Sequence, residues 1–154
     1  MKNKIQIITG NKGFVGSNLS KYLEQKLKNI LGVSRNPTEN EISYINLNKE
    51  KFDSAKSLIH LAGKAHDLKK TSNDHKYYEV NTELTKILFD QFLKSNCEVF
   101  IYMSSVKAAA DVVDDVLHEN DNPNPKTVYG KSKLVAEQYI LSKEFPKDKR
   151  VYIL

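Results

Sequence analysis

The sequence predicts an α/β fold, a doubly wound parallel sheet of about six strands with helices on both faces. Three observations predict it. Short apolar runs of strand length recur along the chain, at residues 4–8, 30–34, 42–47, 57–61, 99–103 and 151–154. Between several of them, apolar residues return at helical spacing. A glycine-rich segment, Thr9-Gly10-Asn11-Lys12-Gly13-Phe14-Val15-Gly16, stands between the first strand and the first helix, where such sheets open a ligand crevice.

Residues 4–8 read as a buried strand through Ile5, Ile7 and Ile8, and Phe14, Val15, Leu19, Tyr22, Leu23 and Leu27 then recur at helical spacing up to Asn29. The second strand is expected at 30–34. Asn36-Pro37 marks a turn, and a third, shorter strand is expected at 42–47. The gap between those two is too short for a normal helical crossover, which takes about a dozen residues, so a stunted connection is expected. After the fourth strand, at 57–61, a polar stretch at 64–73 leads into a long helix whose apolar face is Tyr77, Val80, Leu84, Ile87, Leu88 and Phe92. The fifth strand is expected at 99–103. Residues 111–126 are acidic and proline-bearing and read as an exposed loop. Helical spacing returns at 129–142 with Leu134, Val135, Tyr139 and Ile140 inward, and 151–154 begins a sixth strand.

Composition excludes several functions. With 154 residues and 40% of them hydrophobic, the chain is long enough for one globular domain with a core, and one domain over residues 1–154 is the default expectation. The single cysteine, Cys97, excludes an internal disulfide and a cysteine-cluster metal site, and reads as a buried thiol in a reducing cytoplasm. No apolar stretch approaches the roughly 20 residues of a membrane span, so no membrane partner is expected. The net charge of +5 is dispersed among acidic neighbours instead of forming a basic block, which argues against nucleic acid. No metal site is expected: His66, His75 and His118 lack ligand spacing, His60 reads as a satisfied core or edge histidine, and Asp111, Asp114 and Asp115 read as a solvated loop.

Gly10, Gly13 and Gly16 are spaced G-x-x-G-x-x-G. Glycine at such positions permits a tight turn, lets backbone approach a pyrophosphate and brings the helix onto the sheet, while the helix N-terminus favours phosphate charge. The end of the second strand reads Val33-Ser34-Arg35. In this fold an acid there accepts from a ribose 2'-hydroxyl and a cation accommodates a 2'-phosphate, so Arg35 tilts the expectation slightly from NAD toward NADP. Tyr129 and Lys133 lie four apart on a predicted helix, hence on one face. A phenol is a poor base at neutral pH unless a nearby cation stabilises its anion, and Lys133 is placed to do so. Ser105 stands at the predicted carboxyl end of the fifth strand, where an open sheet places its ligands.

Together these segments resemble the extended short-chain dehydrogenase/reductase family, the NAD-dependent epimerase/dehydratase group acting on nucleotide sugars. The resemblance covers the whole chain through Gly13-Phe14-Val15-Gly16, His60-Leu61-Ala62-Gly63, Val80-Asn81-Thr82, Met103-Ser104-Ser105-Val106-Lys107 and Tyr129-Gly130-Lys131-Ser132-Lys133. Within the group, residues 60–66 and 104–107 look most like bacterial UDP-sugar 4-epimerases and 4-ketoreductases of surface-polysaccharide pathways. The resemblance implies a Rossmann-type NAD(P)-binding domain with Tyr129 as catalytic acid/base. By it, Lys133 would hold the nicotinamide ribose and favour the phenolate, and Ser105 would hydrogen-bond the reacting sugar oxygen. Gly10, Gly13, Phe14, Val15, Gly16, Arg35, Leu61, Ala62, Gly63, Lys64, Asn81, Tyr129 and Lys133 would surround NAD or NADP. It also implies a UDP-sugar partner and allows a homodimer. One departure is residues 45–48, Ile-Asn-Leu-Asn, where the family often has an aspartate for adenine. The other is length: the family's carboxy-terminal substrate-binding region is expected to be absent, leaving a chain that is inactive by itself. A non-catalytic NAD(P)-binding or regulatory module is the alternative from another class.

Overall fold

The computed structural model describes residues 4–26, 28–65, 73–113 and 115–154. In chain order its elements are β1 (Ile5–Thr9), α1 (Phe14–Gln25), β2 (Ile30–Val33), β3 (Glu41–Ile42), α2 (Lys49–Ser54), β4 (Ala55–His60), α3 (His75–Tyr78), α4 (Leu84–Leu93), β5 (Val99–Tyr102), α5 (Val106–Ala109), α6 (Val128–Leu141) and β6 (Arg150–Ile153). A 3-10 turn at Tyr44–Asn46 follows β3, and a π-helical turn at Glu79–Glu83 lies between α3 and α4. The chain forms two compact units. One, the sheet unit, draws on residues up to 62, 88–103 and 145–153; the other, the helical unit, draws on 63–87, 104–144 and Leu154.

In the sheet unit the strands run parallel in the order β3-β2-β1-β4-β5-β6. This is the doubly wound order, in which the direction of strand addition reverses between β1 and β4. Consecutive residues of the central strands, Ile7 and Ile8 on β1 and Leu58 and Ile59 on β4, are all buried. Adjacent residues of a strand point to opposite faces, so both faces of the central sheet are covered, as a parallel sheet requires. Register places Ile7 beside Leu58 and Leu58 beside Phe100. Phe100 then meets Phe89 and Phe92 with ring centroids 5.0 and 5.4 Å away. Phe100→Ala should therefore lower unfolding free energy by about 3–5 kcal/mol, since it empties a fully packed aromatic site, and a urea titration of wild type and variant measures the loss.

Several expectations need correction. The third strand, expected at 42–47, pairs with β2 only through Glu41 and Ile42 before the chain turns into 3-10 geometry. That turn buries Leu47 and leaves Ile45 93% exposed, so the apolar run reflects one anchor and one surface residue instead of a ladder. The helix α2 was not expected; it is held by one fully buried side chain, Phe52, and by Asn48, whose side chain accepts from the Lys51 N–H (3.1 Å). Two turns are too short to show a period. The long helix expected at 77–92 is interrupted by the π turn, and its Ile87 is 56% exposed whereas Phe89, absent from the expected face, is fully buried. The inserted residue of a π turn shifts the helical phase. Leu27 of the first helical pattern lies outside the described residues. Cys97 is buried, as expected, and burial pushes its thiol up from the ordinary value. Among the described residues no helix is long and apolar enough to cross a membrane, and no cluster of metal-ligating side chains occurs.

Candidate dinucleotide and catalytic site

The three glycines of the first turn answer to three different constraints. Gly10 takes φ +68°, a left-handed conformation, and a β-carbon on it would lie 2.7 Å from the Ala62 nitrogen, so the turns after β1 and β4 meet backbone to backbone. A β-carbon on Gly16 would lie 2.3 Å from the Gly10 carbonyl oxygen, which keeps α1 tight against the turn. Gly13 is unlike both. It caps α1 in ordinary extended geometry (φ −72°, ψ 171°), is exposed, and would bring a β-carbon no closer than 3.2 Å to anything described, the Gly10 oxygen. A side chain there would press on one backbone oxygen, a milder conflict than at Gly10 or Gly16. What glycine leaves open at 13 is the approach to the first turn of α1, which carries no acidic residue and no side-chain cap, and this fits a phosphate-bearing ligand.

Phe14 and Val15 are exposed beside this mouth, at 87% and 47%, and Arg35 is exposed after β2. Thr9 ties the two turns: its carbonyl accepts from the Leu61 N–H and its Oγ1 from the Ala62 N–H (both 3.2 Å), while Oγ1 lies 2.7 Å from His60 Nδ1. His60 is fully buried against Tyr102, the satisfied core histidine that was expected. Tyr44, not singled out in the sequence, directs its phenol toward Thr9 and the Gly10 backbone. Burial pushes that phenol up, opposed by Arg35 and by those two hydrogen-bond partners.

In the helical unit the organising residue is Asn81, buried on the π turn. Its Oδ1 accepts from the Lys64 N–H (2.7 Å), and its Nδ2 donates to the Lys64 carbonyl (3.0 Å) and to Ser132 Oγ (2.9 Å). Thr82 adds a donation to the Ser132 carbonyl (2.7 Å). The Gly63-Lys64 segment is thus fastened to α6. A β-carbon on Gly63 would lie 3.3 Å from Asn81 Oδ1 and 3.4 Å from Lys133 Nζ, so Gly63, Asn81 and the lysine tip form one cluster. Lys64 Nζ lies over the Tyr77 ring (5.1 Å). Lys133 is 4% exposed, and burial lowers its pKa to about 8 against the opposing pull of Glu137.

Ser105 is the N-cap of α5, its side chain accepting from the Lys107 N–H (3.2 Å), and the neighbouring Ser104 donates to Glu137. The turn α5 packs directly on α6 because Gly130 has no side chain: a β-carbon there would lie 2.2 Å from the Lys107 oxygen. Tyr129, the residue before this contact, is half-buried one helical turn before Lys133. Thr127 caps α6 by accepting from the Gly130 N–H (3.1 Å). Asp111 in turn grips Thr127, accepting from its N–H (2.9 Å) and hydroxyl (2.7 Å) and from the Lys126 N–H (2.5 Å). These bonds from Thr127, with that from Lys126, lower the Asp111 pKa. Asp111 is therefore a clasp on the helix that carries Tyr129 and Lys133, not a merely solvated acid. The buried face of α6 is Gly130, Ser132, Lys133, Ala136 and Ile140; Leu134, Val135 and Tyr139, expected inward, are only half-buried. Ser132 could have been flagged as a hydroxyl on the lysine's own helix face, whereas nothing local marks Asp111. His66 and Asp114 lie outside the described residues.

The strand order and the glycine turn after β1 define a Rossmann-type α/β protein. The chain belongs to the NAD dependent epimerase/dehydratase family, which it matches over residues 6–144. It is 31% identical over 150 residues to a UDP-glucose 4-epimerase of Vibrio cholerae, covering 88% of this chain and 46% of that protein. Among solved structures it is similar to MoeE5 in complex with UDP-glucuronic acid and NAD (24% identical, TM-score 0.81, 97% of this chain and 52% of that one). It is also similar to the UDP-glucuronic acid 4-epimerase of Bacillus cereus in complex with NAD (18% identical, TM-score 0.78, 96% and 54%). The chain spans about half the length of these relatives.

Proposed function

We propose that this chain binds a nicotinamide dinucleotide and serves hydride transfer at C4 of a UDP-sugar, as in a 4-epimerase or 4-ketoreductase of surface-polysaccharide synthesis. The observation that carries the reading is the cluster of Gly63, Asn81 and Lys133, a buried cation fastened one turn after Tyr129. A buried lysine with its proton loosened is unfavourable for the fold alone and useful beside a ribose and a phenol.

When bound, the dinucleotide supplies the hydride acceptor and donor. The chain's own residues manage the proton. Tyr129 takes the proton from the C4 hydroxyl as C4 is oxidised and returns one as it is reduced. Lys133 favours the phenolate and binds the ribose, and Ser105 donates to the reacting oxygen as negative charge develops there. Gly10, Gly13, Gly16, Phe14 and Val15, with Leu61, Ala62 and Lys64, would hold the rest of the dinucleotide. An epimerase would require the hydride to be returned to the opposite face of the ketosugar with no net redox change, and a ketoreductase would require a single delivery.

Calorimetric titration of the chain with NAD tests the binding reading. Gly13→Val should abolish the heat of binding, because a side chain at 13 occupies the space through which a pyrophosphate approaches the turn, and circular dichroism establishes that the variant is folded. Equal affinity in the two folded proteins would remove the glycine turn from the site.

A further inference from the structure

The end of β2 lacks an acid in the sequence, yet the structure brings one there from β3. Parallel register sets Gly32 beside Glu41. Glu41 Oε2 accepts from the hydroxyl of Ser34, the first residue after β2 (3.3 Å), and from the Thr38 N–H (2.8 Å); Oε1 accepts from Asn11 Nδ2 (2.6 Å). Gly32 makes the room. A β-carbon on it would lie 2.5 Å from Asn11 Nδ2 and 3.1 Å from the Glu41 side chain, which is why a glycine interrupts an otherwise apolar strand. The carboxylate thereby joins the end of β2 to the glycine turn, and its side chain remains 9% exposed.

We propose that Glu41 is the specificity-determining residue of the dinucleotide site, accepting from the adenosine ribose 2'-hydroxyl and excluding a 2'-phosphate, so that the protein selects NAD over NADP. The inference rests on the dinucleotide reading above. In this fold the group at the end of β2 meets the ribose 2' position, and an acid there selects the hydroxyl. Oε1 accepts from Asn11, and a carboxylate oxygen has a second lone pair to offer. Lys12, the cation nearest to Glu41, is already engaged: its Nζ lies 2.9 Å from Oε2 and donates to the Asn36 carbonyl (2.6 Å). A 2'-phosphate would thus meet an acceptor-only carboxylate, with the nearest cation already held by that carboxylate and by the Asn36 carbonyl. Burial opposes ionisation of Glu41, but Lys12 and the Thr38 and Asn11 donors outweigh it and hold the pKa at about 2, so the charge is present throughout the neutral range. Arg35, which inclined the sequence reading toward NADP, is then a surface cation outside this selection.

The test is calorimetry of the 154-residue chain with NAD and NADP, in wild type, Glu41→Gln and Arg35→Gln, with thermal melts of each. Wild type should bind NAD at least about tenfold tighter than NADP, the scale of one hydrogen bond to a charged group. Glu41→Gln should bring the two affinities to parity or invert them, because the amide releases Lys12. Arg35→Gln should leave the ratio in place. A wild-type ratio of one, or one favouring NADP, overturns the proposal without any variant, even if Glu41→Gln fails to fold. A ratio that moves in Arg35→Gln and not in folded Glu41→Gln overturns it while the dinucleotide reading stands. Binding of neither nucleotide overturns both.

Discussion

Tyr129→Phe should lower turnover of a UDP-sugar by about 10²- to 10⁴-fold in the intact gene product, with NAD affinity unchanged. The phenylalanine keeps the half-buried ring and removes only the group that carries the proton. A structural role would predict the reverse pattern, lowered stability with turnover per folded molecule retained. The decisive measurement is a rate-against-pH series on both proteins alongside a dinucleotide titration. Wild-type turnover in Tyr129→Phe would hand the proton to another residue and favour the reading of this chain as a non-catalytic dinucleotide module.

Lys133→Met should separate binding from folding. The folded protein holds this ammonium at a pKa of about 8, against an ordinary 10.5, because burial disfavours the charge. Below pH 8 both folded and unfolded chains carry the proton and the folded state bears the whole penalty. Between about 8 and 10.5 the unfolded chain keeps a proton that the folded chain has released, so unfolding free energy rises with pH across that window. Methionine has similar length and no charge. At pH 7 the ligand-free variant should be more stable by about 1–3 kcal/mol, and its stability should lose the rise between pH 8 and 10.5. Dinucleotide affinity should nevertheless fall, by about tenfold or more, through loss of a charged hydrogen bond. Chemical denaturation at pH 7, 9 and 10.5, with calorimetry on the same samples, reads both effects. A variant that is less stable and binds NAD as well as wild type would make Lys133 a structural cation.

Two other residues act through this pair. Gly130 permits α5 to touch α6, and so links the Ser105 cap to the turn that follows Tyr129, while Asp111 secures the Thr127 cap at the start of the same helix. Both are supports whose value is geometric. General acid/base chemistry depends on heavy-atom separations held to a few tenths of an ångström, so positioning residues matter to rate even where they touch no ligand.

What could be read from the chain alone was whatever depends on short-range pattern. Alternating and continuous apolar runs located β1, β2, β4, β5 and β6 to within a residue or two, because strand burial follows side-chain direction. The glycine spacing marked the turn after β1, since left-handed φ at Gly10 and backbone contact at Gly16 leave no other residue type comfortable. The four-residue spacing of Tyr129 and Lys133 was legible for the same reason, as a helix sets that geometry locally.

Other features depend on partners distant in sequence and emerge when the chain is packed. Glu41 lies beside Ser34 because two residues of β3 pair with β2, a register that no local pattern encodes. Asn81 holds Lys64 and Ser132 at separations of 17 and 51 residues, from a π turn that the apolar period alone does not reveal. The loosened proton of Lys133 is likewise a property of burial: the same lysine on an exposed helix face would titrate as any other, and the packing of α6 in its unit removes its water. Spacing along the backbone was enough to select which residues could do this chemistry. The tertiary structure decided their charge, their hydrogen-bond partners and the acid at the end of β2, because desolvation and strand register arise only when distant segments pack.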